Sequence, residues 1–556
     1  MSKRNSKRKS IVLITCLACA ASLLLGACST PSSQSSAPSS SSASSSSAVS
    51  QAEESSSQGD QPAAAGETIS YWVPLHSNAA QVLTDWNDNE CFQELERQTG
   101  VHVTFIHPPV GQELEQYNLM VASQDLPDII SYDYPSGADS AIDEKIYRPL
   151  DGLMEYSPNM QAIMDSDPEI RKQMTTTNGH IWGWGQFNLP ENQGDKGQYS
   201  ISPWAGPAVR ADWLEELKLD VPETIDDWHA MLVAFRDQKG ATAPLILPKS
   251  GRSGQSIFVS AFGVGAGFYQ EDNVVKFGPM EPGFKDYLAL MNQWYSEGLL
   301  DPDFAATASD ANFYAEYLTT GRAGSITETY QDIVPLYNSL FEGGEGKVAA
   351  VPYPVKNKGE QLHLGSLSPI VETGNGRRDY LTTAVSDGRL EAVCRWRDNW
   401  YTEESTMLFN YGIEGRSYNM EDGRPVYTDL IANNPDGLDY AVSSWKYKLF
   451  CGPYIYNAFA MPDPQIEASW ASISTWISNN DRADQMPPSS VPVENAKEYS
   501  GIMTEVNTYQ DQMILSFIMG MEPLDNFDAF VEELKKLGIE KAIEYQQAGL
   551  DTYNSH

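Results

Sequence analysis

Short apolar runs alternate with stretches of helical spacing along the chain from residue 68 onward. In chain order, the pattern predicts strand 68–74, helix 85–99, strand 101–106, helix 112–123 and a short buried strand 128–131. Gly100 directly follows the first predicted helix, at the position where a glycine commonly ends one. Strands and helices that alternate in this order form parallel strand pairs, so the pattern predicts an α/β layer fold.

Helix signals continue through the middle and the end of the chain. Thr224 and Asp227 stand three residues apart, which is the spacing of a capping box. A helix that ends at Gly298 is predicted by apolar residues at helical spacing: Phe284, Tyr287, Leu288, Met291 and Tyr295. Asp525 or Asn526 is expected to cap helix 527–537. The tryptophans expected to pack in cores are Trp213, Trp228, Trp294, Trp396 and Trp400.

The first 28 residues have the pattern of a secretory signal. Five basic residues between Lys3 and Lys9 precede an apolar stretch from Ile11 to Leu25, which is short for a membrane span. The stretch ends in Leu-Gly-Ala before Cys28. Small residues before a cysteine at this place resemble the lipobox of bacterial lipoproteins, which implies lipidation of Cys28 and removal of residues 1–27. The alternative is an ordinary signal peptide in which Cys28 is incidental.

Composition separates a tether from a folded body. Residues 29–58 are dominated by serine, which cannot form a core, so we expect a flexible linker as far as residue 66. The whole chain of 556 residues has 41% hydrophobic residues, enough for more than one packed lobe. Its formal charge of −38 argues against a nucleic-acid partner, which would require a cationic surface.

Several segments, in their order along the chain, resemble one protein family. They are LPDII at 126–130, the helix–turn–helix stretch 209–235, and segments 284–304, 411–429 and 509–553. The set resembles the large family 1 extracellular solute-binding lipoproteins that supply oligosaccharides to carbohydrate ABC importers. That resemblance implies an α/β, two-lobed periplasmic-binding-protein-like fold of type II, with discontinuous lobes around a ligand cleft.

The resemblance leads to an expected domain organisation. It comprises a lipoprotein signal peptide at 1–27, a Ser-rich linker at 28–66, lobe 1 at 67–183 and 350–405, and lobe 2 at 184–349 and 406–556. We expect the chain to cross between the lobes near 183–207, 349–354 and 399–410. A few crossing residues would then act as the hinge on which the cleft closes.

The resemblance also implies a function and a place of action. It implies a monomeric receptor, lipid-anchored on the extracellular face of the cytoplasmic membrane, that binds oligosaccharide and delivers it to ABC permease subunits. The Ser-rich tether favours a Gram-positive cell. A site for sugar needs flat aromatic surfaces for C–H faces and polar groups for hydroxyls, and the chain has 13 Trp and 28 Tyr.

Candidate ligand contacts follow predicted strands, because ligands of open α/β sheets bind beyond the carboxyl ends of strands. After the first strand these are His76 and Asn78, and after the short strand 128–131 they are Tyr132, Asp133 and Tyr134. Relatives have a stacking aromatic at the place of Tyr132. The alternative for these aromatics is packing on their own lobe.

Further candidates lie near the first crossing and in the second lobe. If the GHIWGWGQF segment is extended, Trp182 and Trp184 share one face, where they contact ligand or fill the core between the lobes. Trp204 is a hinge aromatic between Pro203 and Gly206. Segment 325–330 is expected to be a strand that ends at the cleft with Thr327, Glu328 and Tyr330, and relatives have an aromatic near the last position.

No motif predicts catalysis, a cofactor or a metal. The chain shows no marked nucleophile, phosphate or zinc motif, and residues 236–244 hold one acid where many relatives have a calcium loop. We therefore expect a binding protein and no enzyme. The alternatives are the same fold with peptide or another small solute, and an extracellular polysaccharide-active enzyme. With 37 basic against 75 acidic residues, neutral sugars are favoured unless a local basic cluster lines the cleft.

Overall fold

A computed structural model describes residues 66–189, 205–247, 257–303, 311–329, 337–341, 347–364, 370–372, 376–449, 452–456 and 471–556. The strands are β1 Thr68–Trp72, β2 His102–Ile106, β3 Ile129–Ile130, β4 Trp184–Gly185, β5 Ala205–Arg210, β6 Leu245–Ile246, β7 Phe268–Glu271, β8 Val274–Phe277, β9 Ser325–Thr329, β10 Val348–Ala350, β11 Arg378–Leu381, β12 Tyr418–Glu421 and β13 Arg424–Tyr427.

The helices are α1 Glu90–Thr99, α2 Glu113–Ser123, α3 Ala138–Asp143, α4 Pro158–Ser166, α5 Pro168–Met174, α6 Ala211–Leu217, α7 Ile225–Lys239, α8 Pro282–Ser296, α9 Ala311–Thr319, α10 Leu390–Asp398, α11 Glu403–Asn410, α12 Asp429–Ala432, α13 Tyr440–Tyr447, α14 Val493–Ile518, α15 Phe527–Lys536 and α16 Ile539–Ser555. In the described part of the chain, none of these helices has both the length and the apolar character required to cross a bilayer.

The first sheet has five strands in the order β2-β1-β3-β11-β4. Strand β1 pairs in parallel with β2 and with β3, which confirms the strand–helix–strand prediction for this region. Strand β11 runs antiparallel to β3 and β4. The carboxyl ends of β1 to β4 and the start of β11 therefore meet at one edge of the sheet.

The second sheet has four strands in the order β10-β5-β9-β6. Strand β5 pairs antiparallel with β9 and β10, and β6 pairs in parallel with β9. Strand β9 confirms the strand predicted for segment 325–330 as far as Thr329. Helices pack against each sheet in a shared hydrophobic core, which gives the two-lobed α/β architecture.

The described residues form two large hydrophobic cores, one in each lobe. The first core takes residues from 69–189 and 370–454, and the second takes residues from 208–362 and 473–542. Trp184 and the segment around Phe409 therefore belong to the first lobe, whereas Val351 and Tyr353 belong to the second. Segment 350–364 contributes to the second core, and a third, smaller cluster is formed by Tyr411, Tyr418, Tyr427, Ile431 and Tyr447.

Local signals for helix ends are mostly confirmed. The side chain of Thr224 accepts from the Asp227 N–H, and the Asp227 carboxylate accepts from the Thr224 N–H, so the capping box is complete. Helix α1 begins later than predicted, because the Asn89 side chain caps it by accepting from the Cys91 N–H. Asn526 precedes α15 without a side-chain cap; its amide donates to Glu522 instead.

A buried ion pair joins the elements of the first lobe. Arg397 of α10 and Asp379 of β11 are both 0% exposed, and the Arg397 Nε donates to the Asp379 carboxylate over 2.6 Å. The Tyr71 hydroxyl of β1 donates to the same carboxylate at 2.9 Å, and Arg397 also donates to the Pro453 carbonyl. The guanidinium lies 3.8 Å from the centre of the Trp400 ring. The ion pair and its hydrogen bonds thus tie together two strands, a helix and the segment at 453.

Replacing Arg397 by methionine is expected to lower the free energy of unfolding by about 3–5 kcal/mol, because the Asp379 carboxylate remains buried without its cation. Urea unfolding followed by circular dichroism measures the change. The control is Arg395→Met, whose ion pair with Glu391 is on the surface of the same helix and should change stability by less than about 0.5 kcal/mol. Equal effects of the two substitutions would contradict the central role of the buried pair.

Candidate binding site in the first lobe

The carboxyl ends of four strands bring polar and aromatic residues to one edge of the first sheet. A cavity of about 110 Å³ at this edge is called here the edge pocket. It is lined by Val73, Pro74, Leu75, His76, Trp86, Gly376, Arg377, Trp445, Gly452 and Tyr454. These residues come from the loop after β1, the turn before β11, helix α13 and the segment 452–456, so distant parts of the chain build one site.

An aromatic pair forms one wall of the edge pocket. The rings of His76 and Trp445 are stacked, with centroids 4.5 Å apart and an angle of 4° between their planes. Trp445 is positioned through Asn89, whose side-chain amide donates to the carbonyls of Trp445, Lys446 and Lys448. Because the same Asn89 side chain caps α1, the start of that helix and the end of α13 are locked together.

Lys448 directly follows helix α13, and its side chain points into the protein interior. Its side chain is buried, and its Nζ lies 2.7 Å from the Tyr427 hydroxyl. Burial disfavours the ammonium form and lowers the pKa of Lys448 to about 7.

Arg377 provides the polar wall of the edge pocket. Its Nη1 donates to the side-chain oxygen of Gln186 over 2.6 Å, and the Gln186 N–H donates to the Arg377 carbonyl over 3.1 Å. Gln186 is 1% exposed and follows directly after β4. A buried amide therefore holds the guanidinium in a fixed orientation at the sheet edge.

Gly452 forms part of the pocket floor, where a side chain would not fit. Its φ is +69°, and a Cβ there would be 2.8 Å from the Tyr71 hydroxyl and 3.0 Å from the Trp400 ring. The backbone can thus lie directly on the network of Tyr71, Asp379 and Arg397. The edge pocket is in this way supported by the buried ion pair beneath it.

The residues predicted after β3 lie at the same sheet edge. Tyr132 lines a groove of about 580 Å³ formed with residues 111–119, and its ring contacts the edge of Trp72. Asp133 accepts from the Tyr380 hydroxyl at 2.5 Å, and the Tyr134 hydroxyl donates to Glu144. Burial and the neighbouring Glu144 carboxylate raise the pKa of Tyr134 to about 12. Part of the Tyr132 side chain lines the groove, whereas the side chains of Asp133 and Tyr134 form hydrogen bonds with residues of the first lobe.

The two tryptophans of the GHIWGWGQF segment are both buried in the first core. Trp184 is fully buried, so the structure favours the packing alternative for this residue. Trp182 donates to the Gln173 carbonyl, and the Arg378 guanidinium lies 4.9 Å from its ring centre. Gly183 between them packs against β11, where a Cβ would be 2.1 Å from the Asp379 carbonyl oxygen.

The other predicted contacts are divided between the two lobes. Asn78 lies next to His76, and its N–H donates to the His76 Nδ1. Thr327 is buried on β9 opposite Pro207, and its hydroxyl has no hydrogen-bond partner among the described residues. The backbone of Glu328 pairs with Gly206. Trp204 and Tyr330 lie outside the described residues. Within the described ranges, no three His, Cys, Asp or Glu side chains form a group that could hold a metal ion.

Sequence reasoning missed Trp445, Arg377 and Gln186. Trp445 is 369 positions from the histidine on which it stacks, and no local pattern marks such a pair. Arg377 directly precedes β11. The start of an antiparallel strand lies at the same sheet edge as the carboxyl ends of its parallel neighbours. The rule that ligands bind beyond those carboxyl ends, which selected His76, could therefore also have selected Arg377.

Comparison with known proteins agrees with this fold. No family model matches the chain. The chain is 24% identical over 507 residues to the fructooligosaccharide ABC transporter substrate-binding protein FusA of Streptococcus pneumoniae, with 85% of this chain and 88% of FusA covered. It is 24% identical over 502 residues to lipoprotein LipO of Bacillus subtilis, with 85% and 90% covered.

Solved structures of substrate-binding proteins have a similar fold. FusA in complex with kestose superposes with a TM-score of 0.68 at 20% identity, covering 88% of this chain and 100% of FusA. The alginate-binding protein AlgQ2 also gives a TM-score of 0.68 at 20% identity, covering 88% of this chain and 98% of AlgQ2. The chain therefore has the two-lobed α/β fold of the substrate-binding proteins of ABC transporters.

The pKa of His76 is expected to lie below 6.5, because partial desolvation by its neighbours and then the nearby Arg377 cation both disfavour the imidazolium. Arg377→Gln removes the second cause and should raise this pKa, although the desolvation still holds it below 6.5. A pH titration of the histidine ¹³Cε1 resonances measures the shift, with His76→Gln for assignment. Arg395→Gln should leave the pKa of His76 unchanged, and an unchanged value in Arg377→Gln would show that the two groups do not interact.

Proposed function

We propose that this protein is a lipid-anchored, extracellular solute-binding protein that captures an oligosaccharide between its two lobes and delivers it to the permease subunits of an ABC importer. It acts by binding and release, without chemical change of the ligand. The similarity to FusA and LipO over 85% of the chain supports the class of protein. Ligand chemistry is supported by the edge pocket.

The observation that carries the proposal is the pairing of an aromatic wall with a planar cationic donor at the carboxyl ends of parallel strands. The stacked His76 and Trp445 rings offer an apolar surface to the C–H face of a sugar ring, and Arg377 offers N–H donors to its oxygens. These groups are fixed by Asn89 and Gln186 before any ligand arrives. Fixed groups bind with less loss of conformational entropy.

The second lobe completes the site when the cleft closes. The edge pocket is smaller than a typical ligand site, so we infer that it holds one part of the ligand and that the Tyr132 groove takes further sugar units. Each large core draws on separate stretches of the chain, which suits lobes that move about a few connecting residues. Thr327, whose buried hydroxyl has no partner among the described residues, is a candidate contact from the second lobe.

A first test measures the melting temperature of the protein with neutral oligosaccharides, acidic oligosaccharides and peptides. A ligand at 100 times its dissociation constant should stabilise the fold by about 2.7 kcal/mol. We expect stabilisation by one class of sugar, with the sugar recovered intact by chromatography.

The variant Trp445→Ala should abolish this stabilisation, whereas Trp445→Phe, which keeps an aromatic ring, should retain most of it. Stabilisation by peptides alone would contradict the carbohydrate assignment. Loss of the sugar over time would contradict the binding role and indicate an enzyme.

The lipid anchor has its own test. Cells that express the protein should incorporate a labelled fatty acid into it, and Cys28→Ala should abolish the label, because the thiol of Cys28 is the proposed site of lipid attachment. Cys19→Ala is the matched control, since Cys19 lies in the segment that is removed. Label that persists in Cys28→Ala would contradict lipidation at this residue.

A further inference from the structure

The edge pocket is too small for a sugar ring but has room for a substituent of one. Its volume is about 110 Å³. An engineered apolar cavity of about 150 Å³ holds benzene, which has six heavy atoms, so each heavy atom takes roughly 25 Å³. The edge pocket therefore has room for about four heavy atoms. A whole hexose unit is larger than this, whereas a group attached to its ring is not.

The lining of the edge pocket is mainly apolar. Val73, Pro74 and Leu75 directly follow β1 and contribute aliphatic side chains. Trp86 and Trp445 contribute aromatic ones. Burial of one methyl group of a ligand in such surroundings strengthens binding by about fourfold. The substituent that fits best therefore has an apolar end.

A buried hydrogen-bond donor without a partner belongs to the same lining. Trp86 is 0% exposed, and its indole N–H has no hydrogen-bond partner among the described residues. An indole N–H only donates, so its partner has to be an acceptor. A donor that is buried and unpaired has lost its bond to water, and a ligand acceptor restores a hydrogen bond to it.

Trp86 differs in position from the other described tryptophans whose indole N–H is buried and unpaired. Those are Trp228, Trp294, Trp396 and Trp400. None of the four lines the edge pocket, the Tyr132 groove or the cavity beside Glu403. Among these five tryptophans of the described ranges, Trp86 alone combines an unpaired donor with one of these cavities.

His107 fixes Trp86 against the pocket. The Trp86 backbone N–H donates to His107 Nε2 over 3.3 Å, so the ring proton is on Nδ1, which donates to the Val73 carbonyl over 2.8 Å. Desolvation lowers the pKa of His107, which favours the neutral imidazole that makes both bonds. One side chain thus joins two residues of the lining, and the indole ring is in place before a ligand arrives.

We propose that the edge pocket takes the acetyl group of an acetylated sugar unit, with the acetyl oxygen accepting from the Trp86 indole N–H and the methyl group lying against Val73 and Leu75. This inference rests on the proposed function and specifies its substrate class, a neutral oligosaccharide with N-acetyl or O-acetyl groups. An acetamido substituent has one nitrogen, one oxygen and two carbon atoms, which matches the room available. The ring that bears it lies against His76 and Trp445.

An acetyl group satisfies the pocket better than the other small groups of a sugar. Its carbonyl oxygen accepts without donating, so no proton of the ligand is left unpaired in the apolar lining. A hydroxyl or hydroxymethyl group is smaller, leaves part of the apolar wall uncovered and brings a proton that needs an acceptor of its own.

The first test is calorimetric binding of matched trisaccharides to the full chain purified in detergent. One arm compares triacetylchitotriose with cellotriose, which has hydroxyls in place of the acetamido groups. The other arm compares O-acetylated xylotriose and mannotriose with their deacetylated forms. In at least one arm, the acetylated trimer should bind about 10- to 50-fold more tightly, because it adds a hydrogen bond and a buried methyl group. The arm that responds distinguishes N-acetyl from O-acetyl ligands.

The length of the acyl group tests the pocket without any change to the protein. In the preferred trimer, an N- or O-butyryl group should weaken binding at least about tenfold relative to acetyl, because two further methylenes overfill the pocket. A formyl group, which lacks the methyl, should weaken binding about fourfold. Equal affinities across the series would overturn the proposal, because the acyl group would then lie outside a closed pocket.

A substitution assigns the hydrogen bond to Trp86. Trp86→Phe keeps an aromatic ring without the N–H and should lower the ratio of the acetylated to the unacetylated affinity by about two- to tenfold. Trp396→Phe is the matched control, since it removes a buried, unpaired indole N–H from the same core away from these cavities, and it should leave the ratio unchanged. Melting temperatures establish that the variants are folded. An unchanged ratio in folded Trp86→Phe would contradict the role of the indole N–H.

The outcomes separate this inference from the proposed function. Unacetylated trimers, or trimers of galacturonate included in the same series, that bind as tightly as the acetylated ones would overturn the acetyl assignment and leave an oligosaccharide receptor. If no saccharide binds, the proposed function fails and the acetyl assignment fails with it.

Discussion

The ion pair between Arg397 and Asp379 is the interaction on which the first lobe depends. Two opposite charges without contact to water depend on hydrogen bonds from the fold around them. Here Tyr71 donates to the carboxylate and the Pro453 carbonyl accepts from the guanidinium, although Arg397 Nη1 has no hydrogen-bond partner among the described residues. These bonds specify how β1, β11, α10 and the segment at 453 fit together.

The edge pocket is a direct result of that arrangement. Arg377 lies two residues before Asp379 on the same stretch of chain, and Gly452 directly precedes Pro453. The charged wall and the floor of the pocket are therefore placed by the buried network, and the aromatic wall is placed separately by Asn89. A rigid pocket on one lobe suits the proposed capture and release of a ligand.

Much of the local structure could be predicted from residue patterns. The elements from β1 to β3, the capping box at Thr224 and the buried tryptophans of the helices follow from periodicity and helix-end chemistry, which involve residues close together in the chain. The core to which a segment contributes could not be found in this way. Apolar residues in 350–364 have the same local pattern whichever core they pack in.

The sequence by itself determined the α/β class, the alternation of strands and helices, and the sheet edge at which the candidate site lies, because these depend on local spacing and on the direction of parallel strands. Tertiary structure alone decided which side chains form the candidate site. His76 meets Trp445, and Arg377 meets Gln186, only after the sheet and the helices have packed. Whether a tryptophan such as Trp184 fills a core or faces a cavity depends on the backbone that packs over it, which no local pattern encodes.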